Sequence, residues 1–327
     1  MRIAVVGCGA VGSFYGAKLA RAGEEVHFLL RSDYEAVRHQ GVLVRSPEGD
    51  FQVQPRCALL PEEIGPVDLV LIGLKTTANE AFTRLLPPLV GSGTIVLTLQ
   101  NGLGNEDDLS RLFTVEQIMG GLCFVCLNRV APGVIQHIGY GQVILGEFQR
   151  QPQPRTHDLA ARLCAAGVPC IVTDNLARAH WEKLVWNIPF NGLGVASVAG
   201  FDAVEQLVPS GVSAEAVLPC LTTDKLLADG RWARLVRELM LEVIAAARVL
   251  GFDVPDALAD QNVERTRAMG AYRASTLIDF ERGQRLELRS LFLEPLRQAT
   301  QAGVAMPRLA ALCAVLKDLD QEARRDR

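Results

Sequence analysis

The sequence predicts an α/β domain with a largely parallel sheet and an antiparallel extension, followed by an all-helical domain. Three observations carry this reading. Continuous apolar runs alternate with helical stretches through the first half, a glycine-rich turn joins the first run to the first helix, and from about Asp174 no convincing strand remains. The division is placed at 1–174 and 175–327, and a chain of 327 residues is long enough for two such domains.

Taken in order, Arg2–Val6 is an apolar β-run, followed by Gly7-Cys8-Gly9-Ala10-Val11-Gly12. A helical pattern then runs through Ser13–Ala22 with Gly23 as its C-terminal cap, and a second strand covers Glu25–Leu30. Strand, G-x-G-x-x-G, helix and strand within about 30 residues is the full context of a Rossmann-type dinucleotide fingerprint. The glycines allow a tight turn and let a pyrophosphate approach the helix N-terminus, where orphan N–H groups and the dipole favour anions. Gly7, Cys8, Gly9, Ala10, Val11 and Gly12 are therefore expected to cradle the cofactor. An NAD-type site places Asp or Glu at the end of the second strand for the ribose 2′-hydroxyl. Here the strand ends in Leu30-Arg31-Ser32, with no carboxylate until Asp33. Arg31 suits a 2′-phosphate, so the expected cofactor is NADP(H).

The stretch 41–54 reads as a hairpin around Pro47-Glu48-Gly49-Asp50 and is expected to be a decoration. Two doubly buried strands follow, Val67–Leu74 and Thr94–Leu99, each with a helix behind it, Ala78–Leu89 and Glu106–Phe113. The first strand ends at Lys75-Thr76 and the second at Gln100-Asn101-Gly102. Taken singly, Lys75 and Asn101 read equally well as a solvated loop lysine and an Asn-Gly turn. Both fall on the carboxyl edge with the glycine loop and Arg31, where open α/β sheets bind ligands, and this convergence makes them site candidates. Beyond Met119 come strands Gly120–Leu127, Val134–Ile138 and Gln142–Glu147, then a helix Thr156–Ala166 and a short strand Pro169–Val172.

In the second half, helices are expected over Asn175–Val198, Trp232–Leu250, Asp256–Met269, Ser290–Ala302 and Pro307–Glu322. Pro189 should kink the first. Asp202–Thr223, with Pro209 and Pro219, has no clear pattern and reads as an insertion. The first helix carries Lys183, Asn187 and Asn191 four residues apart, hence on one face of an otherwise apolar element. From this stretch alone two readings stand level. One is a core helix whose lysine reaches water and whose asparagines tie down loops; the other is a substrate-facing array. A dinucleotide domain followed by a helical one, with this helix at the junction, predicts a cleft enzyme and favours the second.

Composition bounds the alternatives. With 49% hydrophobic residues, 21% charged and a net charge of −4, nothing points to nucleic acid or an anionic membrane as partner. Met1 leads straight into a strand, so no secretory signal is visible and the expected location is cytoplasmic. The longest uncharged run, Leu184–Phe201, is interrupted by Pro189, two glycines and Asn187 and Asn191, unlike a membrane span. The eight cysteines are scattered. Cys123 and Cys126 lie three apart on a strand and point to opposite faces, so no disulfide or metal site is expected. The apolar stretch Ala302–Leu316 offers a face for a homodimer.

Together these features resemble the ketopantoate reductase (2-dehydropantoate 2-reductase) family, within the 6-phosphogluconate dehydrogenase-like enzymes. The resemblance rests on Gly7–Ser13, Lys75, Gln100–Gly102, the Lys183/Asn187/Asn191 stripe, and Ser275, Asp279 and Glu287. It implies NADPH-dependent reduction of a 2-keto acid to a 2-hydroxy acid, ketopantoate to pantoate in pantothenate biosynthesis. On that likeness Lys183 is the catalytic lysine at the keto oxygen, Asn187 and Asn191 hold substrate, and Ser275 binds its carboxylate end. Glu287 is an acidic residue near cofactor and active site, and Asn101 an amide between nicotinamide and substrate. The chain departs from the family pattern at Tyr272, after Glu287 (Leu288-Arg289) and across Asp202–Thr223. These departures lie in the substrate half, so a paralogous reductase of another 2-keto acid or an imine is the alternative. A non-catalytic NADP(H) sensor is the rival from another class, and the intact stripe argues against it.

Overall fold

A computed structural model of the chain describes residues 1–205 and 218–325. The chain divides into two compact units, Met1–Ala179 and His180–Arg327.

The first unit is built on strands β1 (Arg2–Val6), β2 (Glu25–Leu29), β3 (Val42–Arg45), β4 (Phe51–Val53), β5 (Arg56–Ala58), β6 (Val67–Ile72), β7 (Val90–Thr98), β8 (Ile118–Ala131), β9 (Val134–Glu147) and β10 (Cys170–Val172). They form one sheet in the order β4-β3-β9-β8-β7-β6-β1-β2-β5, with β10 beside β9. From β5 through β8 neighbours are parallel. The long β8–β9 pair is antiparallel and supplies the expected extension. Alternate residues explain the continuous apolar runs. Ile3, Val5, Leu69 and Leu71 enter one core, while Ala4, Val6, Val70 and Ile72 enter another on the opposite face.

Helix α1 (Ala10–Arg21) is buried from Gly12 to Leu19. Its Phe14, Tyr15, Ala17 and Leu19 share a core with Val42 and Val44 of β3 and Ile135 and Val143 of β9. The sheet therefore curls around α1. Lys18 survives inside this arrangement because its Nζ donates to Glu48 Oε2 at 2.9 Å and the Gly167 carbonyl at 3.4 Å.

Several expectations are corrected. The β3–β4 hairpin is no decoration: β3 pairs in parallel with β9, Leu43 opposite Val134, and Val42 and Val44 are fully buried. The stretches Val134–Ile138 and Gln142–Glu147 are one strand, β9, with Tyr140 (φ 63°) and Gly141 (φ 137°) absorbing an irregularity in its pairing. Helix α2 (Tyr34–Gln40) and strand β5 were not foreseen. The expected helix Ala78–Leu89 is a 3-10 turn Thr76–Ala81, a single α-turn α3 (Phe82–Leu85) and a second 3-10 turn Pro87–Leu89. Pro87 and Pro88 remove consecutive backbone donors there. Helices α4 (Asn105–Ser110) and α5 (Pro154–Ala165) complete the unit.

Helix α6 (Leu176–Ala196) starts in the last residues of the first unit and runs unbroken through Pro189. After it come α7 (Phe201–Glu205), α8 (Thr223–Ala228), α9 (Gly230–Val249), α10 (Ala257–Arg267), α11 (Ser275–Glu281), α12 (Glu294–Gln301) and α13 (Pro307–Arg325). The described residues of the second unit contain no strand. Of the segment expected to be an insertion, Asp202–Glu205 belong to α7 and Thr223 opens α8, and 206–217, with Pro209, lies outside the described residues. The expected helix Ser290–Ala302 is entered through a π turn, Arg289–Leu293, and α7, α8 and α11 were not foreseen.

Helix α9 buries Leu235, Val236, Leu239, Met240, Val243, Ile244 and Ala247, a spacing of three and four that puts them on one side. Its Glu242 accepts the Arg308 and Leu309 N–H groups at 2.9 and 3.0 Å, capping α13 from outside. In α13, Leu309, Leu312 and Leu316 are fully buried. Among the described residues no helix is long and apolar enough to cross a membrane.

Candidate active site

The glycine loop fits a phosphate by geometry. A Cβ at Gly7 (φ +94°) would lie 2.3 Å from the Leu74 nitrogen, and one at Gly12 would lie 2.3 Å from the Gly7 carbonyl oxygen. Those two glycines let the turn pack against the end of β6. A Cβ at Gly9 would meet nothing within 4 Å, so that face is open. Gly9 is also the N-cap of α1, makes no side-chain cap bond, and no acidic residue stands in the first turn. An uncapped helix start behind a side-chain-free approach is what a pyrophosphate needs. Cys8 turns inward: its Sγ contacts the carbonyls of Val5 and Leu29 at 3.5 Å, and burial pushes its thiol well above the ordinary range. It contributes backbone, not chemistry. All eight cysteines are free thiols, and no group of three potential metal ligands occurs among the described residues.

Arg31 is exposed just past β2. The neighbouring Asp33 is buried and turned away from solvent, with Arg129 Nη1 2.6 Å from both carboxylate oxygens. The carboxylate two residues beyond Arg31 is thus already engaged.

Lys75 and Asn101 sit at the ends of the loops after β6 and β7, Lys75 exposed and Asn101 half-buried. A chain of side-chain amides between the two loops holds them. Gln100 Nε2 donates to the Leu74 carbonyl at 3.0 Å and to Asn79 Oδ1 at 2.8 Å, while Thr98 Oγ donates to Gln100 Oε1 at 3.0 Å. Asn79 Nδ2 donates to Asn105 Oδ1 and Asp108 Oδ2, both at 3.1 Å, and Asn105 Nδ2 donates to the Asn101 carbonyl at 3.1 Å. The backbone on both sides is therefore fixed by one buried network. Asn79 and Asn105 escaped the sequence reading. The signal available was four amides, Asn79, Gln100, Asn101 and Asn105, in the loops after β6 and β7 and the start of α4, with Asp107 and Asp108 close behind.

In the second unit the α6 stripe is real. Asn187 and Asn191 are buried at 6% and 3% exposure, and Lys183 is half-buried. Asn191 Nδ2 donates to Asn187 Oδ1 at 3.4 Å. Asn191 Oδ1 accepts from Ser275 Oγ at 3.2 Å, Thr276 N at 3.1 Å and Thr276 Oγ at 3.0 Å. Asn191 thus caps the start of α11 from outside, because Ala274, its own N-cap, has no side-chain oxygen to offer. Ser275 is brought to the stripe as its first helical residue. Glu287 is buried two residues before the π turn, a kind of irregularity that recurs at functional sites. The rings of Trp186 and Tyr272 lie 6.1 Å apart between centroids, and Trp186 Nε1 donates to Thr266 Oγ at 2.9 Å.

A phosphate cradle at the edge of a mixed, mostly parallel sheet, followed by a helical unit with a Lys-Asn-Asn stripe, defines a Rossmann-type oxidoreductase. The family model described as "Ketopantoate reductase PanE/ApbA" matches residues 3–150, and its C-terminal companion matches 175–320. A 2-dehydropantoate 2-reductase of Nostoc sp. is 38% identical over 98% of this chain and 95% of its own length. The crystal structure of 2-dehydropantoate 2-reductase from Geobacter metallireducens is 47% identical, with a TM-score of 0.87, covering 97% of this chain and 99% of that one. The enzyme of that name from Methylococcus capsulatus is 32% identical, with a TM-score of 0.85, covering 99% and 98%. This chain belongs to the ketopantoate reductase family.

Proposed function

We propose that this chain reduces 2-dehydropantoate (ketopantoate) to pantoate with NADPH, a step of pantothenate biosynthesis in the cytoplasm. The observation that carries the reading is its likeness, over nearly the whole chain, to relatives named 2-dehydropantoate 2-reductase.

The first-turn N–H groups of α1 behind Gly9 hold the pyrophosphate and Arg31 the 2′-phosphate. Lys75 and Asn101 hold the nicotinamide half at the strand ends. When bound, the dihydronicotinamide supplies the hydride. As the new C–H bond forms at C2 of the keto acid, the carbonyl π electrons move to oxygen, and Lys183 donates an N–H proton there. An ammonium both stabilises the developing alkoxide and protonates it. Lys183 then regains its proton from solvent. Asn187 offers directional hydrogen bonds without adding charge, and Ser275, set in place by Asn191, binds the substrate carboxylate.

NADPH oxidation followed against ketopantoate and a panel of 2-keto acids tests this. Lys183→Ala is expected to lower kcat by roughly 10²–10⁴. Turnover within a few-fold of the unaltered enzyme would overturn the assignment of the acid. A related reductase acting on another 2-keto acid or an imine is the second reading, favoured by the departures from the family pattern at Tyr272 and after Glu287. Turnover of another member of the panel, with none of ketopantoate, would select it.

A further inference from the structure

Arg129 lies 96 residues beyond Asp33, near the tip of the β8–β9 hairpin, yet its Nη1 is 2.6 Å from both Asp33 oxygens. Gly133, in the turn of the same hairpin, donates its N–H to Asp33 Oδ2 at 3.4 Å, and Ser32 Oγ donates to Oδ1 at 3.0 Å. The hairpin also grips the far end of α2: Leu43 N donates to the Gly133 carbonyl at 2.9 Å, and a Cβ at Gly133 would lie 2.9 Å from the Gly41 carbonyl oxygen. The curl of the sheet thus delivers a guanidinium to the one carboxylate next to Arg31. The Asp33 side chain is 8% exposed and that of Arg129 is 42% exposed. Among the described residues, Arg129 Nε and Nη2 carry no hydrogen bond. Arg31 and Asp33 are two residues apart, at most about 7 Å between Cα atoms, so the Asp33–Arg129 pair is anchored in the same loop that carries Arg31.

We propose that Arg129 is a specificity-determining residue for the 2′-phosphorylated dinucleotide. It withdraws the Asp33 carboxylate, which would otherwise repel a phosphate and offer a ribose 2′-hydroxyl its usual acceptor, and it presents a second set of guanidinium donors beside Arg31. The proposal rests on the reading of the glycine loop as a dinucleotide site.

The test is equilibrium binding of NADPH and NADH by calorimetry to the full chain, with thermal melts alongside. The unaltered protein is expected to bind NADPH the more tightly; binding of neither nucleotide would sink the dinucleotide reading itself and the proposal with it. Arg129→Met is expected to weaken NADPH about tenfold or more while NADH binding holds or improves, so that the preference falls at least tenfold. Arg129→Lys is expected to restore part of the preference. Asp33→Asn removes the carboxylate but keeps the guanidinium, and is expected to leave the NADPH preference in place. Equal loss of both nucleotides in Arg129→Met, an unchanged preference there, or a lost preference in Asp33→Asn would each make the pair a structural clasp only and overturn the proposal. If Arg129→Met melts below the assay temperature, the Asp33→Asn/Arg129→Met pair takes its place. With the carboxylate gone only the guanidinium donors are lost, so NADPH is expected to bind several-fold more weakly than to Asp33→Asn, with NADH binding unchanged. Equal NADPH affinity in the two would overturn the proposal.

Discussion

Gly9 and Gly12 are both glycines of one motif, but the structure gives them different work. Gly12 lies where a Cβ would press 2.3 Å from the Gly7 carbonyl oxygen, so Gly12→Ala is expected to destabilise the fold by roughly 1–3 kcal/mol, read as a lowered urea midpoint. Gly9 has open space where its Cβ would be, so Gly9→Ala is expected to melt like the unaltered protein and yet bind NADPH about tenfold more weakly. A Gly9→Ala protein with unaltered NADPH affinity would move the pyrophosphate elsewhere. The same contrast separates Asn187 from Asn191. Both sit on the stripe, but the Asn191 carbonyl is committed to Ser275 and Thr276. On the function proposed above, Asn191 is therefore a positioning residue that would act through Ser275.

At the scale of elements, two short segments depend on caps from elsewhere. Helix α11 has seven residues and an alanine N-cap, too little to hold its own start, and Asn191 supplies the acceptor across 84 residues of sequence. Asn191→Ala leaves the Thr276 N–H and two hydroxyls without their acceptor. It is expected to cost about 1–3 kcal/mol by urea denaturation and to raise the KM for the keto acid. Asn191→Asp keeps an acceptor for all three and is expected to recover most of the stability. The loops after β6 and β7 are coupled through Gln100, which bonds the Leu74 carbonyl and Asn79. Gln100→Leu removes that link and orphans both acceptors, so kcat/KM is expected to fall about tenfold with the circular dichroism spectrum intact. An unchanged kcat/KM would show that Lys75 and Asn101 need no such support.

At the scale of the molecule, the parts legible in the sequence are those written in short-range pattern. The alternation of doubly buried strands with helices, the glycine turn between β1 and α1, and the three-residue stripe of α6 each follow from a period of two or of 3.6 and from glycine at a tight turn. The place of Arg31 at the carboxyl edge was legible because it lies two residues past the end of β2. Strand β3 was mistaken for a decoration because its partner, Val134, is remote, and no local pattern says which edge a hairpin will join. Ser275 was found by resemblance, not by pattern, since the cap that makes α11 a helix lies on α6. Asn79 and Asn105 went unseen for the same reason: polar loop residues look alike until their partners are known.

What the sequence determined by itself is therefore the chemistry available: a glycine turn at a helix start, a cation past β2, and a lysine with two amides on one apolar helix. The tertiary structure decided how those groups are held. The sheet curls around α1 because Phe14, Tyr15 and Leu19 need cover on every side, and that curl carries the β8–β9 hairpin to Asp33. Buried polar groups must find partners, and in this chain the partners of Asp33 and of the α11 start lie 96 and 84 residues away, at distances in sequence that only packing can close.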